Sequence, residues 1–184
     1  MNDTIQTIFS RRSIRGFLPD GVVPEDMKLI LECAMSAPSA RNQQDWQFTV
    51  IQDKAVIDML NKDAKSLLPE ASHQRMLARF NGNEDYSLFY NAPVLIAVSV
   101  GKNRWAESDG GMAAQNICLA AESLGYGTCV VGMGITVFES DMREKYFALL
   151  GIPEDKTTLY FIALGRKAVN MPDVARDTGK VNYI

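Results

Sequence analysis

Histidine and cysteine are scarce in this 184-residue chain, and their scarcity excludes several kinds of site. The single histidine, His73, leaves no basis for a His-rich metal centre. The three cysteines, Cys33, Cys118 and Cys129, lie far apart and form no C-x-x-C pair, so they support neither a zinc site nor a disulfide framework. We therefore expect no metal, and thiols that are buried in a reducing cytoplasm.

Long apolar runs and an excess of positive charge are also missing. The longest apolar run, Ala92 to Val100, is far too short to span a bilayer, and the first residues lack the charge order of a secretory signal. The net charge is −3 and the pI is about 5.2, whereas nucleic-acid-binding proteins usually carry a basic face. The composition predicts one cytoplasmic domain over residues 1–184, with neither a membrane nor a nucleic acid as partner.

Helix and strand signals alternate along the chain, which predicts an α+β or α/β domain whose helices cover a central sheet. Pro24 followed by Glu25 and Asp26 is a good helix start, and Gly151 with Pro153 beyond it is a helix stop. Helices are predicted over residues 2–9, 24–37, 55–62, 66–80, 105–125 and 137–151. Strands are predicted over 46–52, 92–100, 126–135 (running into a glycine-rich loop) and 157–165.

The predicted helix over 105–125 is apolar on nearly every face between Met112 and Leu124. A helix without a solvated face should be buried on all sides, and its small side chains let another helix approach closely. Either a second subunit supplies part of the cover, or the helix lies at the centre of one monomer. The sequence leaves both alternatives open.

The stretch RRSIRGF places Arg11, Arg12 and Arg15 within five residues of a chain that is acidic overall. If the stretch is extended, Arg11, Ser13 and Arg15 point one way, and Arg12 and Ile14 point the other. Two guanidinium groups flanking a hydroxyl suit a phosphate. The alternative is that these cations complement the dipole at the end of the first helix. Spacing alone does not separate the two.

Two other segments have compositions that suit a binding site. The glycines at 125, 127, 132 and 134 do not have the G-x-G-x-x-G spacing, so a nicotinamide-binding Rossmann unit is not indicated, although glycine permits close approach to a flat ligand. The polar segment Pro38 to Trp46 lies between a helix and a strand. It contains no nucleophile with a base partner, so a hydrolase site is not indicated.

The segments RRSIRGF, SAPSARNQQDWQF, NAPVLIAV, DGGMAAQNICLAAESLGYGTC and FIALGRK, taken in this order, resemble the nitroreductase family of FMN-dependent oxidoreductases. The resemblance runs over nearly the whole chain. It implies an α+β fold with a central mixed, mainly antiparallel sheet flanked by helices. It also implies an intertwined homodimer with two FMN sites at the subunit interface.

The resemblance assigns residues to the FMN site. Arg11, Arg12 and Ser13 match the loop that holds the phosphate and ribityl chain. Arg15 matches the basic residue at the N1–O2 edge of the isoalloxazine ring. Pro38, Ser39, Ala40 and Asn42 match the loop that reaches the flavin from the other subunit. Val131, Gly132, Met133 and Gly134 match the segment whose backbone N–H faces flavin N5. Gly165 and Arg166 match the C-terminal basic element at the phosphate. No catalytic side chain is implied, because flavin N5 carries the chemistry.

The activity implied by the resemblance is transfer of hydride or electrons from NAD(P)H through FMN to a small nitroaromatic or quinone oxidant, in a ping-pong cycle. A guanidinium at N1–C2=O stabilises the reduced flavin more than the oxidised flavin, so Arg15 should raise the reduction potential. The alternative is a flavin-binding module or carrier that serves a protein redox partner without nitroreductase turnover.

This sequence departs from the family pattern at Arg41 and Asp45, and these departures, with the short chain, motivate that alternative. Arg41 either selects an anionic substrate or points to solvent. In the divergent segment 67–90, Tyr86 and Phe89 either wall the substrate pocket or fill the core. A further polar flavin contact is expected from the same segment, but no residue there can be assigned to it.

Overall fold

A four-stranded sheet forms the centre of the molecule in the computed structural model, which describes residues 1–184. The strands are β1 (Trp46–Ile51), β2 (Val94–Val100), β3 (Tyr126–Val131) and β4 (Thr157–Arg166). The helices are α1 (Asp3–Ser10), α2 (Pro24–Met35), α3 (Lys54–Ser66), α4 (Glu70–Arg79), α5 (Ala106–Ser123) and α6 (Arg143–Leu150). A 3-10 helix over Met133–Glu139 follows β3.

The strands lie in the order β1-β2-β4-β3, and every neighbouring pair is antiparallel. The one parallel pairing is an isolated bridge between Ser13 and Thr128, where the N-terminal segment meets the outer edge of β3. The predicted α+β class and mainly antiparallel sheet are therefore confirmed. Because β3 is an edge strand, the backbone beyond this bridge stays open to a ligand.

Two apolar layers cover the two faces of the sheet. Val94, Ile96 and Val98 pack with α2 and α5, whereas Leu95 and Ala97 pack with the side that carries α3, α4 and α6. β2 is buried along its whole length, as its run of apolar residues without alternation predicts. None of the six α-helices combines the length and the apolar character that a membrane span requires.

Two predicted helices differ from the structure by an interruption or a late start. The helix expected from residue 137 begins only at Arg143, because Ser140 has an extended backbone (φ −115°, ψ −177°) and its Oγ accepts a hydrogen bond from the Met142 N–H at 3.1 Å. The helix expected over 66–80 is interrupted, since α3 runs to Ser66 and α4 begins after Pro69. Both breaks coincide with residues that commonly precede a helix start.

Helix α5 is not covered on all sides by its own chain. Ala114, Ile117 and Ala121 are buried between α2 and the sheet, but Gly111 and Met112 are exposed, Met112 by 45%. The protomer alone therefore covers most of this helix but leaves its N-terminal part exposed. The expectation that a second subunit supplies the remaining cover stays a prediction at this point.

Candidate functional site

The N-terminal segment reaches the outer edge of β3 and the end of β4 through backbone hydrogen bonds. The Ile14 N–H donates to the Thr128 carbonyl at 2.8 Å, and the Leu18 N–H donates to the Arg166 carbonyl at 3.0 Å. These bonds hold the RRSIRGF stretch against the end of the β3–β4 pair. As a result, Arg11, Ser13 and Arg15 lie at the same end of the sheet as Arg166.

Side chains of this segment alternate in direction, as an extended stretch predicts. Ile14 is 3% exposed and packs over Gly127, where a Cβ would lie 2.8 Å from the Ile14 Cγ1 atom. Arg15 is exposed on the opposite side. The missing side chain at 127 lets the segment lie flat on β3, which fixes the position of the neighbouring arginine.

Arg12 already has partners within the chain. Its guanidinium donates to the carbonyls of Phe9 and Arg11 at the end of α1, and it forms an ion pair with Asp173. These contacts correspond to the alternative in which a cation complements the C-terminus of the first helix. Its Nε is buried without a hydrogen-bond partner, so the role of Arg12 at the phosphate stays a prediction.

Three arginines at this end of the sheet have no acidic partner. None of the six ion pairs of the chain includes Arg11, Arg15 or Arg166. The neighbouring Lys167, by contrast, is paired with Glu122 at 2.8 Å. The site therefore holds uncompensated positive charge beside the Ser13 hydroxyl, a donor set that fits a small dianion such as a phosphate monoester.

The charges of two of these arginines converge on one buried thiol. Burial raises the pKa of the Cys129 thiol, and the positive charges of Arg15, Arg79 and Arg11 oppose that increase. Burial also raises the pKa of Cys118. The expectation of buried thiols is thus confirmed for Cys118 and Cys129 but not for Cys33, which is partly exposed.

The polar segment after α2 forms a second, separate part of the candidate site. Its tip has an unusual backbone, with positive φ at Arg41 (56°) and Asn42 (55°). The Ala40 N–H donates to both carboxylate oxygens of Asp109, at 3.1 and 3.2 Å. Pro38 and Asn42 are exposed, whereas Ser39 and Ala40 are partly buried.

The loop and the arginines are placed by different turns of α5. Asp109, which holds Ala40, lies in the first turn of α5, whereas the charge of Arg11 is felt at Cys118, nine residues further along the helix. Nine residues of an α-helix span about 14 Å. The loop and Arg11 therefore lie near different turns of α5.

The glycine-rich turn after β3 has one exposed and one tightly packed glycine. Gly132 is exposed, and its N–H donates to no other group of the chain. Gly134 is buried, and Val131 and Met133 are buried and partly buried respectively. The Gly132 N–H is therefore a free backbone donor next to the open part of the β3 edge.

Replacing Gly134 by alanine is expected to destabilise the FMN-free protein by about 1–3 kcal/mol. A Cβ at this position would lie 2.8 Å from the rings of Phe161 and Phe89, and both rings are fully buried. Gly132→Ala is the matched control, because a Cβ there meets no atom within 4 Å and φ is −79°. Urea denaturation of both variants measures the difference, and equal midpoints would contradict this account of the packing.

The structure places the remaining predicted residues as follows. Tyr86 and Phe89 are buried, so the structure favours the reading in which they fill the core. Gly165 is also buried, and a Cβ there would lie 2.7 Å from Pro93, so this position is closely packed. Arg41 is exposed to solvent within the protomer. Asp45 pairs with Lys156 and so anchors the loop rather than facing the arginines.

Sequence reasoning missed two residues of this region. Asp109 was not singled out, although an acid in the first turn of a helix can serve a nearby N–H. Arg79, at the end of α4, donates to the Tyr90 hydroxyl at 2.9 Å and shares the surroundings of Cys129 with Arg15. It lies in the divergent segment 67–90, but no spacing in the sequence distinguishes it from the other surface arginines.

Comparison with known proteins agrees with this architecture. The nitroreductase family model matches residues 8–166. A protein from Archaeoglobus fulgidus described as an NADH dehydrogenase/NAD(P)H nitroreductase is 32% identical over 171 residues, which cover 90% of this chain and 86% of that protein. The chain belongs to the nitroreductase family.

Two crystal structures show the same fold. A nitroreductase with bound FMN from Desulfitobacterium hafniense has a TM-score of 0.92 and 30% identity, covering 100% of this chain and 99% of that chain. A nitroreductase with bound FMN from Bacteroides fragilis has a TM-score of 0.89 and 28% identity, covering 100% of both chains.

Proposed function

We propose that this protein is an FMN-dependent NAD(P)H oxidoreductase that reduces a small oxidant of the nitroaromatic or quinone type. The observation that carries the proposal is the set of unpaired guanidinium groups beside Ser13 at the open edge of β3. This set lies in a chain of the nitroreductase family, and similar structures were crystallised with FMN. Residues 1–184 act as one FMN-binding domain in this proposal.

Each part of the donor set suits a different part of FMN. Arg11, Ser13 and Arg166 supply charge and a hydroxyl for the phosphate. Arg15 supplies positive charge for the N1–C2=O edge, and Gly132 supplies a free backbone N–H for N5. Bound FMN would supply hydride and electron transfer between the nicotinamide and the oxidant. The side chains bind and orient it, and none needs to act as an acid or base.

We further propose that the protein works as a homodimer in which the loop of residues 38–42 serves the FMN of the partner. The loop contacts the first turn of α5, whereas Arg11 lies near Cys118 further along the same helix. Helix α1 also buries none of its residues, although it carries apolar side chains. Ile5, Ile8 and Phe9 are 43%, 49% and 63% exposed. An amphipathic helix with an uncovered apolar face supports pairing with a second copy.

FMN titration and turnover together test the proposal. Purified protein should bind one FMN per chain, gain thermal stability on binding, and oxidise NADH or NADPH when menadione or a nitrofuran is present. Parallel double-reciprocal plots are expected from a ping-pong cycle. A protein that neither binds FMN nor is stabilised by it would overturn the proposal. Binding without turnover would instead support the flavin carrier.

Arg41 is proposed to favour anionic oxidants, since it is an exposed cation without an acidic partner on the loop assigned to the partner's flavin. Arg41→Ala is expected to raise KM for 4-nitrobenzoate about 3- to 5-fold and to leave KM for neutral 4-nitrobenzamide within about twofold, because an exposed ion pair contributes up to about 1 kcal/mol. Steady-state kinetics on both compounds measure the ratio. An equal change for both would show that Arg41 points to solvent.

A further inference from the structure

We infer that Asp109 is the positioning residue of the candidate active site: it sets the conformation of the loop of residues 38–44 and so aligns the loop with the partner's flavin. The inference rests on the proposed function, and goes beyond it by assigning a role to a side chain that touches neither the flavin nor the substrate. Its carboxylate is 6% exposed and accepts the Ala40 N–H through both oxygens, at 3.1 and 3.2 Å.

Asp109 makes the only hydrogen bonds that tether this loop to another element. The other hydrogen bonds of residues 38–44 are internal to the loop: Asn42 N–H to the Ser39 carbonyl, Gln43 N–H to the Ala40 carbonyl, Gln44 N–H to Ser39 Oγ, and Gln44 Nε2 to Asn42 Oδ1. The loop is thus a small folded unit that is held at its ends by the buried Ala37 and the ion-paired Asp45, and between them only at Ala40. Loss of the contact at Ala40 would let the residues between these ends move.

The loop needs such an attachment because its backbone is strained. Arg41, Asn42 and Gln44 all have positive φ, between 50° and 56°, a region that non-glycine residues occupy rarely and at a cost. A strained turn persists when its surroundings hold it in place. For this loop, the surroundings are the first turn of α5, which carries Asp109.

The anchor itself is rigid because the first turn of α5 is packed on the sheet. At the neighbouring Gly110, a Cβ would lie 2.7 Å from Leu159 and 2.8 Å from Val100, so the helix lies as close to the strands as a backbone can. The Asp109 N–H donates to the Trp105 carbonyl at 2.9 Å. A buried carboxylate on a fixed helix end therefore defines where Ala40 must lie.

Three variants and one control test the inference on the FMN-loaded enzyme with menadione as oxidant. Asp109→Ala removes the acceptor, and Ala40→Pro removes the donor without changing the charge; proline is compatible with the first position of the 3-10 helix and with the extended Ser39 (φ −135°, ψ 151°) before it. Asp109→Asn keeps one acceptor oxygen. Glu107→Gln is the matched control, because Glu107 is an exposed acid in the same helical turn.

We expect Asp109→Ala and Ala40→Pro to lower kcat/KM per bound FMN about 10- to 100-fold, because a displacement of the order of 1 Å near the reacting groups has effects of this size. FMN should still bind at one per chain, since Arg11 and Arg166 are unchanged. Asp109→Asn should recover the activity to within about threefold of wild type, and Glu107→Gln should be unaffected. A purely structural role would lower the melting temperature and FMN content without changing the rate per bound flavin.

The inference is overturned if Asp109→Ala and Ala40→Pro turn over menadione within twofold of wild type per bound FMN. If Asp109→Ala does not fold, Ala40→Pro decides the question, since it leaves the buried carboxylate in place. The wild-type protein shows whether the proposed function or only the role of Asp109 has failed. A wild type without FMN binding or turnover contradicts the function, whereas an active wild type with unaffected variants contradicts only the role of Asp109.

Discussion

Arg166→Ala is expected to weaken FMN binding by about one to two orders of magnitude, because loss of one charge-assisted hydrogen bond costs about 1.5–3 kcal/mol. Arg166 ends β4 and lies exposed beside the N-terminal segment. It forms no ion pair within the chain, so its guanidinium is available to a ligand. Its guanidinium lies 5.8 Å from the centre of the Tyr126 ring. Fluorescence titration of the FMN-free protein measures the dissociation constant.

Lys167→Ala provides the control for this experiment. Lys167 is the next residue and carries the same charge, but it forms an ion pair with Glu122. If Arg166 contacts the phosphate directly, the lysine variant should lose less than threefold in affinity. Equal losses in the two variants would mean that overall charge, and not a specific contact of Arg166, determines the affinity. Raising the salt concentration should then reduce both effects alike.

Arg15→Ala is expected to lower the two-electron midpoint potential of bound FMN by about 30–60 mV, while the affinity for oxidised FMN changes less than threefold. A positive charge at the N1–C2=O edge stabilises reduced FMN more than oxidised FMN, because the reduced form carries more negative charge there. Removing the guanidinium should therefore cost about 1.5–3 kcal/mol, mainly in the stability of the bound reduced form. Arg15 is exposed and makes no ion pair, so its substitution leaves no buried partner unsatisfied.

Spectroelectrochemical titration of the bound flavin measures this potential. Arg15→Lys retains the charge and should keep most of the potential, which separates charge from shape. If Arg15 tunes the flavin and Arg166 binds its phosphate, this division of roles predicts opposite patterns. Arg15→Ala should change the midpoint potential more than the affinity for FMN, and Arg166→Ala should change the affinity more than the potential. Equal effects on both quantities in both variants would contradict it.

Much of the fold could be predicted from the sequence because its signals are local. The acidic first turn after Pro24 and the left-handed Gly151 mark helix ends, and both are found where expected. The apolar run of β2 identifies a buried strand without knowledge of the strands that pair with it. Alternation in the RRSIRGF stretch also follows from backbone geometry, and it places Ile14 inward and Arg15 outward as found.

The candidate site was less predictable because its key partnerships are long-range. Arg12 pairs with Asp173, which lies 161 positions away, and this contact decides which arginines remain free. Asp45 pairs with Lys156 across 111 positions, and Ala40 with Asp109 across 69. No periodicity or spacing connects such residues, since only the folded sheet and helices bring them together. The sequence could therefore point to the charged loop but not identify its free members.

The most direct test of the account is a hybrid dimer with two differently tagged chains. One chain carries Arg11→Ala with Arg166→Ala, which removes its phosphate contacts; the other carries Ser39→Ala with Asn42→Ala, which alters its loop. If each FMN lies between the arginines of one chain and the loop of its partner, the hybrid contains one site with both defects and one intact site. Tandem-purified hybrid should then recover about half of the wild-type turnover, although each parent dimer is impaired. A hybrid no more active than its parents would contradict an FMN site shared between two chains.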